Sequence, residues 1–164
     1  MKINGKFIYL KTIRENDSRY IFNLRKLKKI SLYLNNPPKK ISDQTSWIKK
    51  NIKNLKTLDF LIYDKKNNKK IGTIGFNNID KENFKAEWGR WICTGTSIQN
   101  IESAIILIDY GFKKLNFKKI YSLTNFKNKK VLNFHKRTGA KFKGKIKNKY
   151  IISGKPIDAF CYEF

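Results

Sequence analysis

The sequence predicts a mixed α+β fold: a mostly antiparallel twisted sheet flanked by about four helices, in a single domain spanning residues 1–164. Three observations predict it. Strand-like and helix-like segments follow one another in the order β-α-α-β-β-β-α-β-α-β-β, short turn signals join neighbouring strands, and the second half alternates strand and helix as in a βαβ unit.

Lys6 to Thr12 alternates as a first strand, with Phe7 and Tyr9 on one face and Ile8 and Leu10 on the other. From Asp17, as N-cap, to about Lys28, the residues Tyr20, Ile21, Leu24 and Leu27 share a helical face. Asn35-Asn36-Pro37-Pro38 breaks the chain into a loop. Ser42 is expected to cap a second helix, whose stripe is Trp47, Ile48, Ile52 and Leu55. Strands Leu58–Asp64 and Lys70–Phe76 follow, joined by the polar run 65–69, and a turn at 80–83 leads to a strand from Lys85 to about Cys93. Ile98 to Leu115 is the clearest helix, with Ile101, Ala104, Ile105, Ile108, Phe112 and Leu115 at helical spacing. A strand at Lys119–Leu123, a helix at about Asn128–Arg137 closed by Gly139, and a terminal hairpin complete the chain. The hairpin pairs Lys141–Ile152 with Ile157–Phe164 around Ser153-Gly154-Lys155-Pro156.

Composition narrows the function classes. An apolar content of 40% and an aromatic content of 14% are too high for a disordered polycation. The most apolar run, Ala104–Ile108, is cut by Asp109 and is too short to span a bilayer, and the opening residues carry no signal-peptide pattern. Two cysteines, Cys93 and Cys161, make no disulfide framework, so a cytoplasmic location is expected. The net charge of +25 attracts phosphorylated partners. Its lysines are scattered, however, and neither paired zinc ligands nor a basic region with heptads is present, so nucleic acid is not the expected partner.

Several stretches together resemble the GNAT acyltransferase superfamily. Tyr110-Gly111-Phe112 and Leu115, the strand Lys119-Ile120-Tyr121, Asn128, the run from Phe134 to Ala140, and Gly144 resemble the family's C-terminal half, with Ala140 in place of the usual Phe. Lys70 to Phe76 and Ala86 to Ile92 resemble two of its central strands. Arg25 and the segment from Gln44 to Ile48 are similar to the branch that acetylates ribosomal-protein N-termini and nucleotide-linked amino sugars. The resemblance implies acetyl-CoA as co-substrate, no metal, and direct acetyl transfer to an amine.

One segment departs from the pattern. The family's pyrophosphate-binding turn, rich in glycine, here reads Thr94-Gly95-Thr96-Ser97-Ile98-Gln99-Asn100. Thr96, Ile98 and Asn100 take the glycine places, and Gly95 stands one residue away. A hydroxyl-rich turn at a helix start can still hold phosphate through its amides and oxygens. The opposing reading is that cofactor binding is weakened or lost.

The resemblance implies further roles. Backbone amides near Ile92 and Cys93 would face the acyl group, and Asn128 would contact the pantetheine arm, although it reads equally as a helix N-cap. Glu87 stands where relatives carry the carboxylate that takes the amine's proton; its other reading is a strand carboxylate paired with Arg90. His135, seven residues after Asn128, holds the place of the family's thiolate-protonating tyrosine, or is a surface or capping residue; Tyr110 and Tyr121 are possible substitutes. Arg25, Asn35, Gln44, Trp47, Asn77, Trp88 and Arg90 are expected around the acceptor, with Arg25 either binding a phosphate or remaining a solvated charge. Cys93 is read as a small buried residue. The favoured acceptor is the amine of a nucleotide-linked amino sugar, acted on by a monomer or homodimer. The alternatives are a protein N-terminal amine and a non-catalytic, nucleic-acid-binding relative of the family.

Overall fold

The computed structural model describes residues 1–27, 32–34 and 37–164. Strands β1 (Lys2–Asn4) and β2 (Ile8–Thr12) form a hairpin. A 3-10 turn (Glu15–Asp17) leads into α1 (Ser18–Arg25), followed by α2 (Ile41–Ile52), β3 (Leu58–Asp64), β4 (Lys70–Asp80) and β5 (Lys85–Cys93). Then come α3 (Ser97–Lys113), β6 (Lys119–Asn125), α4 (Lys129–Arg137), β7 (Lys141–Ile152) and β8 (Lys155–Glu163). All eight strands form one sheet in the order β1-β2-β3-β4-β5-β6-β8-β7. Among the described residues, only β5 and β6 run parallel, as a helical crossover between them requires.

Alternation along β2, β3 and β4 sorts side chains onto two faces. Ile8, Leu10, Phe60, Ile62, Ile74, Phe76 and Trp88 pack with Ala104, Leu107 and Ile108 of α3. Leu61 points the other way and meets Ile21 of α1 and Ile48 of α2. Helix α3 sits close to the sheet because Gly111 has no side chain: a Cβ there would lie 2.7 Å from Ile120 Cδ1 and from Phe76 Cζ.

The structure shifts several sequence expectations. The buried stripe of α3 is Ser103, Ala104, Leu107, Ile108 and Gly111, which leaves Ile101 and Ile105 exposed. The small residues set the contact face, because they allow the closest approach to the sheet. Helix α2 starts at Ile41, so Ser42 lies inside its first turn; Asp43 Oδ2 accepts from the Lys40 amide at 3.1 Å. Ile48 is the buried member of that expected stripe, while Ile52 and Leu55 face outward. Asp17 uses its carboxylate on the Arg14 amide and on Lys70, not on its own helix. The strand expected from Lys6 begins at Ile8, two residues later, and is preceded by β1, which sequence periodicity does not reveal. Ser153-Gly154 alone make the last turn, both in the left-handed region, so Lys155 and Pro156 already belong to β8.

Candidate active site

The sheet opens at one place. Strands β5 and β6 pair through Lys85–Lys119, Ala86–Ile120 and Glu87–Tyr121, and no pair follows. Beyond that rung the strands part, leaving a cavity of about 410 Å³ lined by residues from β5, β6, α1, α2 and α4.

Two bulges bracket the last rung. On β4, two residues, Asn78 and Ile79, stand opposite Ala86 alone, and Asn78 takes a positive φ of 50°, which asparagine tolerates. The bulge turns the Asn78 amide toward Glu87, to which its Nδ2 donates at 2.8 Å. On β5, Arg90 and Trp91 stand opposite Ile74 alone, and Arg90 takes φ 52°. Thr73 Oγ1 donates to the Arg90 carbonyl at 3.0 Å and steadies this conformation.

The second bulge re-aims Arg90. The expected pairing of Arg90 with Glu87 is not formed; Arg90 Nη1 instead donates to Asp59 Oδ2 at 2.6 Å, and its guanidinium lies over Trp47. Asn51 also donates to Asp59 Oδ2. Burial pushes the Asp59 carboxyl up to about 6, against the pull of Arg90 and Asn51. Burial likewise raises Glu87 above the usual carboxylate range, opposed chiefly by the Asn78 amide and the positive charge of Lys149. Arg25 is lowered by burial first and by the charge of Arg90 second. Glu87 thus stands on the cavity wall as a carboxyl whose pKa is raised by burial.

The cavity gathers most of the expected site residues: Arg25, Trp47, Asn77, Glu87, Trp88, Arg90, Ile92, Asn128 and His135. Asn128 caps α4, accepting from the Val131 amide, and also lines the cavity. Cys93, half-buried at the end of β5, has a thiol raised by burial. The Thr94–Asn100 turn lies outside the lining. Thr96 Oγ1 accepts from the Gln99 amide at 3.3 Å, and Gln99 Oε1 accepts from the Thr96 amide at 2.9 Å, a capping box. Asn100 Nδ2 ties back to the Gly95 and Thr96 carbonyls. Gln44 is buried away from the cavity and neither of its amide atoms has a partner among the described residues, and Asn35 lies outside them.

His135 is neither a surface residue nor a cap. Its ring is wholly enclosed, stacked on Tyr162 at 4.8 Å, with Nε2 at 2.8 Å from Ser122 Oγ and 3.1 Å from Thr124 Oγ1. Burial lowers its pKa to about 4, so the ring is neutral at pH 7 and is not a ready imidazolium acid. Tyr110 lies outside the cavity, its hydroxyl donating to Met1 Sδ. Two residues that sequence reasoning missed are Asp59 of β3 and Tyr150 of β7. Tyr150 is the less expected. It lines the cavity, donates to the Leu123 carbonyl freed by the parting of the strands, and is raised by burial and by the negative charge of Glu87. Its lysine-rich surroundings, Lys143 to Lys149, gave no sign of an inward-facing side chain.

Among the described residues, no helix is long and apolar enough to cross a membrane, and no group of three or more His, Cys, Asp or Glu converges to hold a metal ion. Among curated proteins, none matches the chain in sequence. Among solved structures, a probable GNAT-family acetyltransferase from Chromobacterium violaceum superposes with a TM-score of 0.86 at 15% identity, covering 99% of this chain and 85% of that one. The spermidine N-acetyltransferase of Vibrio cholerae, in complex with CoA and spermine, gives 0.85 at 22% identity, covering 98% and 96%. FdhC, a nucleotide-linked sugar GNAT in its apo form, gives 0.80 at 26% identity, covering 100% and 89%. The family model described as an acetyltransferase (GNAT) domain matches residues 8–141, a stretch that holds the parted strands, Glu87 and His135. The chain therefore belongs to the GNAT acetyltransferase family.

Proposed function

We propose that the protein transfers the acetyl group of acetyl-CoA to the primary amine of a nucleotide-linked amino sugar, in a ternary complex without a covalent intermediate. The observation that carries this reading is the cleft between β5 and β6, with Glu87 at its root and an open strand edge along its wall. The pantetheine arm would run along that edge toward Asn128. Amides at Ile92 and Cys93 would meet the oxyanion, which preformed donors stabilise without reorganisation. The turn from Thr94 to Asn100 would meet the pyrophosphate. The amides of Ser97 and Ile98, which the capping box does not use, begin a 17-residue helix and suit an anion. Glu87 would take the proton of the attacking ammonium, its raised pKa bringing it nearer to the amine.

Charge supports a phosphate-bearing acceptor. A net charge of +25 repels a polyamine and attracts a nucleotide diphosphate, and Arg25 and Arg90 both reach the cavity. The likeness to FdhC points the same way. Calorimetric titration with acetyl-CoA, followed by thiol-release assays with UDP-linked amino sugars and with spermidine, tests the reading. Micromolar binding and turnover of a nucleotide-linked amino sugar are expected. Absence of acetyl-CoA binding would remove the catalytic reading altogether.

A further inference from the structure

At one end of the cavity, a guanidinium is fixed in place by the protein itself. Asp59, buried on β3, takes Nη1 of Arg90 at 2.6 Å and is itself anchored by the Asn51 amide. Trp47 lies under the guanidinium, 5.0 Å from ring centroid to Cζ. The bulge at Arg90 sets the direction of departure from the sheet. These contacts occupy one nitrogen and one face. Among the described residues, Nε and Nη2 of Arg90 have no partner, while the side chain is about a third exposed and lines the cavity. Arg25 lines the same cavity, and its guanidinium is near enough to feel the charge of Arg90.

Two guanidiniums lining one partly enclosed space repel each other. An anion with several oxygens relieves that repulsion, and a planar fork held in advance binds it with little further loss of freedom. Next to this pair, Gly89 lines the cavity without a side chain, and a Cβ there would meet nothing within 4 Å, so a ligand can lie against backbone at that position.

We propose that Arg90, with Arg25 beside it, binds the diphosphate of the acceptor, and that Asp59 is the positioning residue that holds the Arg90 fork. This rests on the reading that the acceptor carries a diphosphate, and it names the residues that select it. A single phosphate would use one guanidinium; a diphosphate engages both.

The test is calorimetric binding of inorganic pyrophosphate and of UDP, with and without millimolar CoA. CoA fills the cofactor's own pyrophosphate site, so what remains reports the acceptor end. The wild-type protein is expected to bind both ligands. Arg90→Lys keeps the charge and the partner for Asp59 but removes the fork, and should weaken both ligands at least about tenfold, with CoA affinity unchanged. Because a change at Arg90 can unsettle Asp59, the double variant Asp59→Asn, Arg90→Gln removes the pair together and should show the same loss. Binding as tight in Arg90→Lys as in the wild type would mean that surface lysines hold the anion and would overturn the proposal, as would no binding by the wild type. Pyrophosphate binding lost on Arg90→Lys, in an enzyme that acetylates no nucleotide-linked amino sugar, would leave this subsite standing and overturn the acceptor reading alone.

Discussion

Two glycines on the neighbouring strands β4 and β5 make opposite predictions. A Cβ on Gly72 would lie 2.0 Å from the Ile92 carbonyl oxygen, closer than any relaxation of one side chain can relieve. A Cβ on Gly89 would meet nothing within 4 Å, because it points into the cavity. The Cβ of Gly89→Val therefore adds no clash to the fold. Replacing glycine in a strand reduces the freedom of the unfolded chain, worth about 0.5–1 kcal/mol. For a protein of this size, each kcal/mol moves Tm by about 2–4 °C, so Gly89→Val should hold Tm or raise it by about 1–4 °C. The same three carbons project into the space between Glu87 and Arg90. Displacing a bound amine by about an ångström costs about 10²-fold in rate, and turnover should fall by that order or more. Gly72→Val should instead fail to give a folded enzyme. Thermal unfolding read by calorimetry, together with thiol release from acetyl-CoA in the presence of an amine acceptor, checks both. A Gly89→Val protein that unfolds well below the wild type, or turns over as fast, would refute the assignment of this glycine to the site.

Other outcomes follow from the same geometry. Glu87→Gln should lower turnover by about 10²–10³-fold while leaving acetyl-CoA affinity in place, as calorimetry and steady-state rates will show. In the wild type, the acid limb of kcat/KM should inflect above the usual carboxylate range, since burial raises Glu87; Glu87→Gln should lose that inflection. His135 is lowered to about 4 from 6.5, so the unfolded chain binds the extra proton between those values, and stability contributed by the neutral ring is lost as pH falls through that window. The loss amounts to about 3 kcal/mol at its fullest. Denaturant titrations of wild type and His135→Phe from pH 7 to pH 4 should differ in slope accordingly. Thr96→Ala removes the oxygen that accepts from the Gln99 amide, and should cost about 1 kcal/mol in thermal unfolding.

Periodicity was enough to locate the strands Leu58–Asp64 and Lys85–Cys93 and the helix after Asn128. It failed where a few residues are decided by tertiary partners. Strand β1 is three residues of ordinary composition, visible only because Ile3 faces Leu10 across the hairpin. The stripe of α3 was read a step away from its true face, because apolar spacing weighs isoleucine above the small residues that permit close packing. The bulge at Arg90 has no mark in the chain: arginine has no preference for a positive φ, and the conformation is held by Thr73 and Asp59, seventeen and thirty-one residues away. Glu87, Asn128 and Arg25 were found because the family resemblance points to their places. Asp59 and Tyr150 were not, since one is an acidic residue in an apolar strand and the other a tyrosine among lysines.

Among the described residues, three rungs of backbone pairing, Lys85–Lys119 to Glu87–Tyr121, join the five strands before the cleft to the three beyond it. Mechanically, that short ladder is a seam, and the sheet is two leaves stitched at one corner. A ligand lying along the open edge of β5 would act as the missing thread, carrying load from one leaf to the other. Amide hydrogens in Trp88 to Cys93 should then exchange with solvent deuterium faster than those of Leu58 to Asp64, and slow sharply once the gap is filled.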